Sequence, residues 1–374
     1  MRRGFPVAEY EARLARAQAL MDQAGLDALI LTTEPEVRYF TGYLTRFWES
    51  PTRPWFLIVP RQGRPVAVIP SIGAALMGKT WVEDIRTWSA PDLVDDGVTL
   101  LIDTLRELAA GPVGVPMGHE THLRMPLADF ERVQGAVTIT HDHGIMRRLR
   151  MVKSAAEVDK IRTACAIAGR AFDRVGEIAG AGVPLDQVFR DFQRLCLEEG
   201  ADWVPYLAGG AGPLGYDDVI SPATDAPLQT GDVLMLDTGL VHDGYFCDYD
   251  RNYAVGPVEA AAHRAWETLM RATQAGFDAA KSGARACEVF RAMDAIVGGG
   301  DAGRLGHGLG MQLTEWPSFI AGDDTLLEPG MVLTLEPGVA LPGGGIMVHE
   351  DVIVVTEAGA EQLSPTAPDR LPEI

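Results

Sequence analysis

Five side chains in the second half of the sequence have the chemistry of metal ligands. They are Asp237, Asp248, His307, Glu336 and Glu350. Each glutamate interrupts a run of apolar residues, and a lone carboxylate in such a run is costly to bury unless a partner compensates its charge. Four carboxylates and one imidazole form an oxygen-rich set, which favours Mn²⁺, Co²⁺, Fe²⁺ or Zn²⁺ and suits two ions bridged by carboxylates. The residue types therefore predict a site for divalent metal ions.

A predicted hairpin brings the two aspartates together. The apolar strand at 233–236 leads into Asp237, and Asp243-Gly244 is a favoured turn that precedes Asp248. Two neighbouring buried carboxylates repel each other unless a cation neutralises them. The alternative is that both aspartates lie on a solvated face of the hairpin. His307, which stands between two glycines, is also more often structural than a ligand when it is considered alone.

The composition is that of a soluble, acidic globular protein. A chain of 374 residues exceeds the usual size of one hydrophobic core, so two domains are expected. The formal net charge of −20 repels phosphate backbones and anionic lipid, which argues against nucleic acid or a membrane as partner. The four cysteines are widely spaced without a CxxC pair, which predicts reduced thiols and a cytoplasmic location. We recognise no signal peptide and no apolar run of transmembrane length.

The periodicity of apolar residues divides the chain near residue 150. Helix and strand patterns alternate over the first 149 residues, where no catalytic motif is apparent. After a basic cluster, Ser154 and Glu157 form a capping box that predicts the start of a helix. Strand patterns dominate from residue 232 onward, interrupted by two long helical patterns at 258–282 and 285–297. We therefore expect an α+β protein with domains at 1–149 and 150–374.

The order Asp, Asp, His, Glu, Glu and the wording around each residue resemble a known family. They are similar to the pita-bread metallohydrolases, which include methionine aminopeptidase, aminopeptidase P, prolidase and creatinase. Residues 36–42 resemble a motif of the family's N-terminal domain, and 150–162 resemble the entry to its catalytic domain. The resemblance implies a creatinase-like N-terminal α/β domain followed by a pita-bread catalytic domain, a curved antiparallel sheet with outer helices. It also implies that all five residues bind two metal ions.

The same resemblance implies a hydrolytic mechanism. Paired divalent ions lower the pKa of a bound water and polarise a carbonyl group. By resemblance, Glu336 accepts the water proton and passes it to the leaving group. The predicted function is cleavage of a C–N bond in a short Xaa-Pro-type peptide or in a small zwitterionic amide.

Two substrate-contacting histidines that are usual in the family's peptidases are missing here. No histidine occurs between residues 144 and 241, where Asp218 is a candidate replacement, and Thr314 occupies the place of the second histidine. A hydroxyl cannot supply the positive charge of an imidazolium. Two readings remain open: a peptidase that uses other contacts, or an enzyme for small zwitterions. The latter includes a lyase acting on an osmolyte such as dimethylsulfoniopropionate, and a metal-free binding protein on the same fold is a further alternative.

A segment at 43–55 is rich in arginine and tryptophan. In creatinase-like relatives the N-terminal domain of one subunit reaches over the active site of its partner, and this resemblance implies a homodimer. Arg46 or Arg53 would then hold a substrate carboxylate, and Trp48 would accept a cationic group. The alternative is a solvated loop whose tryptophans are buried against their own domain.

Overall fold

The structure is a computed structural model that describes residues 3–49, 54–298 and 303–374. The chain forms two compact units, Met1–Arg150 and Met151–Ile374. This division lies one residue from the predicted boundary. Within the described ranges, no helix has both the length and the apolar character needed to cross a membrane.

The N-terminal unit alternates helices with the strands of one sheet. Its strands are β1 (Ala28–Leu31), β2 (Phe56–Pro60), β3 (Val66–Pro70), β4 (Asp84–Trp88), β5 (Val113–Val115) and β6 (Ile139–His141). Its helices are α1 (Val7–Ala24), α2 (Glu34–Thr41), α3 (Ala74–Met77), α4 (Val98–Leu108), α5 (Leu127–Ala136) and α6 (Ile145–Met151), with short 3₁₀ turns at Phe47–Glu49 and Ser71–Gly73.

The sheet of this unit is mixed. The strand order is β4-β3-β2-β1-β5-β6, with antiparallel pairs among β1, β2 and β3 and parallel pairs at both edges. Every residue of β1, β2 and β3 is buried, because these continuous apolar runs are covered on both faces. On one face, Leu101 and Leu105 of α4 pack with Ile30 and Phe56.

Four helices and eleven strands form the described part of the C-terminal unit. The helices are α7 (Ala155–Phe172), α8 (Leu185–Glu198), α9 (Ala260–Ala279) and α10 (Ala286–Val297), with a 3₁₀ turn at Val175–Glu177. The strands are β7 (Trp203–Gly212), β8 (Val233–His242), β9 (Tyr245–Phe246), β10 (Tyr249–Ala254), β11 (His307–Gly308), β12 (Glu315–Ser318), β13 (Val332–Leu335), β14 (Gly338–Ala340), β15 (Ile346–Val348), β16 (Asp351–Thr356) and β17 (Gly359–Gln362).

The strands of the C-terminal unit pair in the antiparallel direction. One sheet has the order β10-β8-β7 with β9 beside β8, a second has the order β12-β11-β13-β16-β17, and β14 pairs with β15. The prediction of an antiparallel architecture is therefore confirmed, although the strands divide into separate sheets. The predicted capping box is also present, because Ser154 Oγ accepts from Glu157 N and Glu157 accepts from Ser154 N at the start of α7.

The outer helices cover the apolar face of the strands, so the polar side chains of the strands project from the opposite face. Val289 and Met293 of α10 pack with Leu333 and Leu335 of β13. Thr334 lies between these two leucines and so projects to the opposite face. All four cysteines of the chain are buried and free.

Candidate metal centre

The predicted hairpin forms between β8 and β9. Its two turn residues, Asp243 and Gly244, have φ angles of 46° and 81°, and positive φ at both positions is the signature of a type I′ turn. Asp237 lies in β8, and Asp248 follows β9 by two residues, just before β10 begins. In the β8–β10 ladder, the residue opposite Asp237 is Asp250. The hairpin therefore concentrates carboxylates in one place.

His307, Asp248 and Glu350 meet at the centre of the site. Their candidate ligand atoms all lie within 4.8 Å of one another, and all three residues are buried. His307 Nε2 is 3.4 Å from Asp248 Oδ2 and 3.9 Å from Glu350 Oε1. Its Nδ1 is 2.9 Å from the Gly308 carbonyl oxygen, which fixes the proton on Nδ1. Burial and the charge of Arg304 lower the pKa of His307 to about 4. A neutral imidazole thus presents its Nε2 lone pair to the carboxylates, as a metal ligand requires.

The carboxylates cannot all be ionised at neutral pH without a compensating cation. Burial, followed by repulsion from neighbouring carboxylates, raises the pKa values of Asp237, Asp248 and Glu350 far above their ordinary range. Burial also raises the pKa of Glu336, to about 7. Asp237 Oδ1 and Glu350 Oε1 are buried oxygens that accept no hydrogen bond from the described residues. Buried carboxylate oxygens that lack a hydrogen-bond donor and lie close to other carboxylates suit divalent cations, which supply positive charge at each oxygen.

A tyrosine that no sequence motif indicated also reaches the site. Tyr206, in β7, donates from its hydroxyl to Asp237 Oδ2 over 3.0 Å. Burial and the charge of Asp237 raise the pKa of Tyr206, so the phenol remains a donor. This hydrogen bond occupies one oxygen of Asp237, and the other oxygen is the buried Oδ1 that accepts no hydrogen bond from the described residues.

Two glycines allow the backbone around His307 to approach its neighbours. At Gly306, φ is 136°, and a Cβ there would collide with the carbonyl oxygen of Thr334. At Gly308, a Cβ would collide with the carbonyl oxygen of Trp316. His307 N donates to Thr334 Oγ1 over 3.1 Å, and this hydrogen bond connects β11, which carries His307, to β13.

A buried ion pair supports the turn that follows His307. Lys153 Nζ lies 3.1 Å from Glu315 Oε2, and both side chains are almost fully buried. The other oxygen of Glu315 accepts hydrogen bonds from Met311 N at 3.0 Å and from Gln312 N at 3.1 Å. The pair therefore holds the segment between β11 and β12 in place.

A second buried charge network lies next to Glu350. The ring of His349 is fully buried between Asp250, at 3.5 Å, and Asp351, at 3.1 Å. Burial opposes protonation of His349, but the two aspartates outweigh it and raise its pKa. Asp250 Oδ1 also accepts from Glu350 N over 3.1 Å. The network thereby positions the backbone of a candidate metal ligand.

The predicted substrate contacts have different environments. Thr314 is half-buried and accepts a hydrogen bond from Arg304 Nη2 at 3.4 Å. Asp218 is exposed, and its carboxylate caps its own loop by accepting from Ile220 N, Ser221 N and Ser221 Oγ.

The remaining predicted contacts belong to the N-terminal unit. Trp48 is only 8% exposed, packs on Trp55 at 5.7 Å between ring centroids, and lies 5.2 Å from the guanidinium carbon of Arg124. This burial favours the alternative of a tryptophan packed within its own domain. Arg46 is exposed, and Arg53 lies outside the described residues.

Comparison with known protein families identifies both units. The family model described as metallopeptidase family M24 matches residues 159–357, and that of the creatinase/prolidase N-terminal domain matches residues 13–152. The chain belongs to metallopeptidase family M24. The predicted family, its two-domain α+β pita-bread fold and its classification as a hydrolase are thereby confirmed.

Three relatives of this M24 chain illustrate the similarity. A protein named "Probable dipeptidase PepE" from Mycobacterium tuberculosis is 31% identical over 367 residues, which cover 96% of this chain and 95% of that protein. The crystal structure of dipeptidase PepE from Mycobacterium ulcerans superposes with a TM-score of 0.84 at 31% identity, covering 99% of both chains. An Xaa-Pro dipeptidase from Pyrococcus furiosus is 31% identical over 233 residues, which cover 59% of this chain and 65% of that protein.

Proposed function

We propose that this M24 chain hydrolyses a C–N bond in a short Xaa-Pro-type peptide or in a small zwitterionic amide. Two divalent ions of Mn, Co, Fe or Zn would be held by Asp237, Asp248, His307, Glu336 and Glu350. The observation that carries the proposal is the buried acid cluster around His307, in which two carboxylate oxygens have no hydrogen-bond donor among the residues that the structure describes. The names of its relatives, probable dipeptidase and Xaa-Pro dipeptidase, support the reaction class.

The residues of the chain have distinct tasks in this reaction. Divalent ions held by these residues would lower the pKa of a bound water and would polarise the scissile carbonyl. Neutral His307 offers Nε2 as a ligand while Gly308 holds its Nδ1 proton. Glu336, whose pKa burial raises to about 7, accepts a proton from the attacking water and delivers it to the leaving nitrogen. Asp250 and Tyr206 fix the backbone of Glu350 and the carboxylate of Asp237.

Thr314 bears on which of the two proposed substrate classes the enzyme hydrolyses, Xaa-Pro-type peptides or small zwitterionic amides. A hydroxyl at this position cannot protonate or carry charge as an imidazole does, so we expect Xaa-Pro dipeptides to be poor substrates. The Thr314→His variant tests the cause directly. If it gains Ala-Pro hydrolysis while keeping its metal, the missing imidazole limits peptidase activity. Rapid turnover of Ala-Pro by the wild-type protein, in the ordinary range of about 1 to 10³ s⁻¹, would contradict the expectation.

A panel of four compounds distinguishes the hydrolase from its alternatives. Manganese-loaded protein is incubated with Ala-Pro, Ala-Ala, creatine and dimethylsulfoniopropionate, and the released amine, urea and dimethyl sulfide are measured. Cleavage of any of the first three that EDTA abolishes supports the proposal. Release of dimethyl sulfide without C–N cleavage favours the lyase alternative. No turnover together with no bound metal favours the binding-protein alternative.

Substitution of Glu336 tests its role as the proton carrier. Glu336→Gln keeps the size of the side chain but removes its capacity to accept a proton, so we expect kcat to fall by about 10²- to 10⁴-fold. Glu357→Gln, an exposed glutamate between β16 and β17, is the matched control and should keep full activity. Full activity of Glu336→Gln would show that another group carries the proton.

We also propose that the protein acts as a homodimer in which Arg46 or Arg53 of one subunit contacts substrate in the other. The exposure of Arg46 supports this for one of the two residues. Inactive Glu336→Gln chains are mixed with inactive Arg46→Ala or Arg53→Ala chains, and mixed dimers should regain one working site. A monomeric protein, or full activity of both arginine variants, would rule the proposal out.

A further inference from the structure

A cavity lies beside β10 in the C-terminal unit, and none of the predicted metal ligands, all of which the structure describes, lines it. Its volume is about 370 Å³, which falls within the range of about 300–1,000 Å³ that is usual for small-molecule sites. Tyr249, Arg251 and Tyr253 alternate along β10 and so share the face that borders the cavity. Asp250, which accepts a hydrogen bond from Glu350 N, projects from the opposite face. The cavity is therefore separate from the metal centre.

Four aromatic side chains contribute to the lining of the cavity, namely Phe172, Tyr249, Tyr253 and Trp266. Both tyrosine hydroxyls donate to backbone carbonyl oxygens of α7, at 2.8 and 3.0 Å. The indole nitrogen of the tryptophan donates to the Pro368 carbonyl oxygen at 3.2 Å. Because the polar atoms of these rings are occupied, the rings offer mainly carbon surface, which favours an occupant with an apolar or aromatic group.

Two charged side chains of the lining keep polar groups for a further partner. The Nη1 and Nη2 atoms of Arg251 donate to backbone carbonyl oxygens and to Asp351 Oδ1, whereas Nε has no acceptor within the described ranges. Asp173, which follows the last residue of α7, is exposed, and its carboxylate forms no ion pair or hydrogen bond with the described residues. The cavity thus presents an N–H donor and a carboxylate that are both available to a ligand.

We propose that this cavity binds an L-amino acid with an apolar side chain. The carboxylate of the ligand would accept a hydrogen bond from Arg251 Nε, and its ammonium group would lie against Asp173. The side chain would pack on the aromatic rings. A cation or an anion alone would leave one of these two groups without a partner, and a neutral apolar molecule would leave both. Amino acids are also the product class of the hydrolysis proposed above, but the site does not depend on that activity.

Ligands that each lack one group test the three contacts. Protein purified without chelators is titrated calorimetrically with L-phenylalanine, 2-phenylethylamine, 3-phenylpropanoate and glycine. Without the carboxylate, 2-phenylethylamine should bind about 10- to 100-fold more weakly than L-phenylalanine, the range expected for hydrogen bonds to charged groups. Without the ammonium group, 3-phenylpropanoate should lose about 2- to 5-fold, as for an exposed ion pair. Glycine, which has no side chain to bury, should lose about 10-fold or more.

A variant that fills the cavity tests the location of the ligand. Gly176 lines the cavity, and a Cβ at this position would meet no atom within 4 Å, so Gly176→Leu adds a side chain without a backbone clash. This variant should no longer bind L-phenylalanine in the cavity. Gly180→Leu is the matched control, because a Cβ there also meets no atom within 4 Å and Gly180 does not line the cavity. Its affinity for L-phenylalanine and the metal content of both variants should equal those of the wild type.

A charge variant keeps the test decisive if Gly176→Leu does not fold. Asp173→Asn should weaken binding of L-phenylalanine by about 2- to 5-fold and leave that of 3-phenylpropanoate unchanged. Asp159→Asn, at an exposed position of α7, should bind both as the wild type does. No saturable binding of L-phenylalanine to the wild-type protein, or equal binding in the wild type, Gly176→Leu and Asp173→Asn, would overturn the proposal. Because every readout is binding, a lack of hydrolysis would refute the proposed function without changing this outcome.

Discussion

The hydrogen bond from Tyr206 to Asp237 joins a residue that no sequence motif singles out to a predicted metal ligand. Asp237 has two oxygens, and within the described ranges only Oδ2 accepts a hydrogen bond. His307 is arranged in a comparable way, because Gly308 fixes one ring nitrogen and the other faces Asp248 and Glu350. At the scale of single residues, a fixed partner thus occupies one polar atom of Asp237 and one of His307 and leaves the other atom available to a metal ion.

Removal of the Tyr206 hydroxyl should therefore weaken metal binding. Groups that orient ligating side chains typically change metal affinity or activity by about 10- to 100-fold, and we expect Tyr206→Phe to lie in this range. The matched control is Tyr253→Phe, which deletes a hydroxyl that donates to the Phe172 carbonyl at 3.0 Å. Metal affinity is measured by competition with a chelator. Unchanged affinity and kcat in Tyr206→Phe would show that Asp237 needs no such partner.

At the scale of elements, local patterns predict much of the fold and part of the site. The Asp243-Gly244 turn, the capping box at Ser154 and the buried strands of the N-terminal sheet all follow from short stretches of sequence. Contacts between distant segments cannot be predicted from short stretches of sequence, because no local pattern indicates them. The pairing of Lys153 with Glu315 spans 162 residues, and the hydrogen bond from Arg304 to Thr314 depends on how two loops fold together.

The Lys153–Glu315 pair provides a test at this scale. Removing one partner of a buried ion pair leaves an uncompensated charge and costs about 3–5 kcal/mol. We expect Lys153→Met to lower the free energy of unfolding of the C-terminal unit by about this amount, with Lys153→Met/Glu315→Gln recovering most of it.

An exposed ion pair is the control for this experiment. Arg162 and Glu361 are 2.8 Å apart on the surface, and Arg162→Met should cost less than about 1 kcal/mol. Urea denaturation of the four proteins measures the differences. If Lys153→Met and the double variant are equally destabilised, electrostatic pairing is not what holds the segment after His307.

At the scale of the whole molecule, the raised pKa values of Asp237, Asp248, Glu336 and Glu350 lead us to expect that stability depends on metal and pH together. The family relationship and the fold were predictable because the five candidate ligands occur in the order Asp, Asp, His, Glu, Glu along the C-terminal unit. The surroundings of Thr314 were not predictable in the same way, because only the folded chain reveals the hydrogen bond that it accepts from Arg304 Nη2.

The metal-free protein should lose stability as pH rises. Burial raises the pKa of Glu336 from 4.5 to about 7 and moves those of Asp237, Asp248 and Glu350 upward. The folded state then binds more protons than the unfolded state, so the stabilising effect of protonation is present below pH 4.5 and declines as pH rises through about 7. Thermal unfolding of EDTA-treated protein between pH 5 and pH 8 should show a falling Tm. Manganese should raise Tm most at the upper end of this range, and a metal-free Tm that rises with pH would contradict the account.

The central claim is that a set of five residues binds divalent metal, namely Asp237, Asp248, His307, Glu336 and Glu350, and its most direct test is elemental analysis. Protein purified without chelators from cells grown with ample Mn²⁺ and Zn²⁺ should carry about two transition-metal ions per chain, as two-metal hydrolytic sites do. His307→Ala should lose at least one ion, whereas His263→Ala, at an exposed position of α9, should keep both. Wild-type protein that is folded and contains no bound metal would contradict the account.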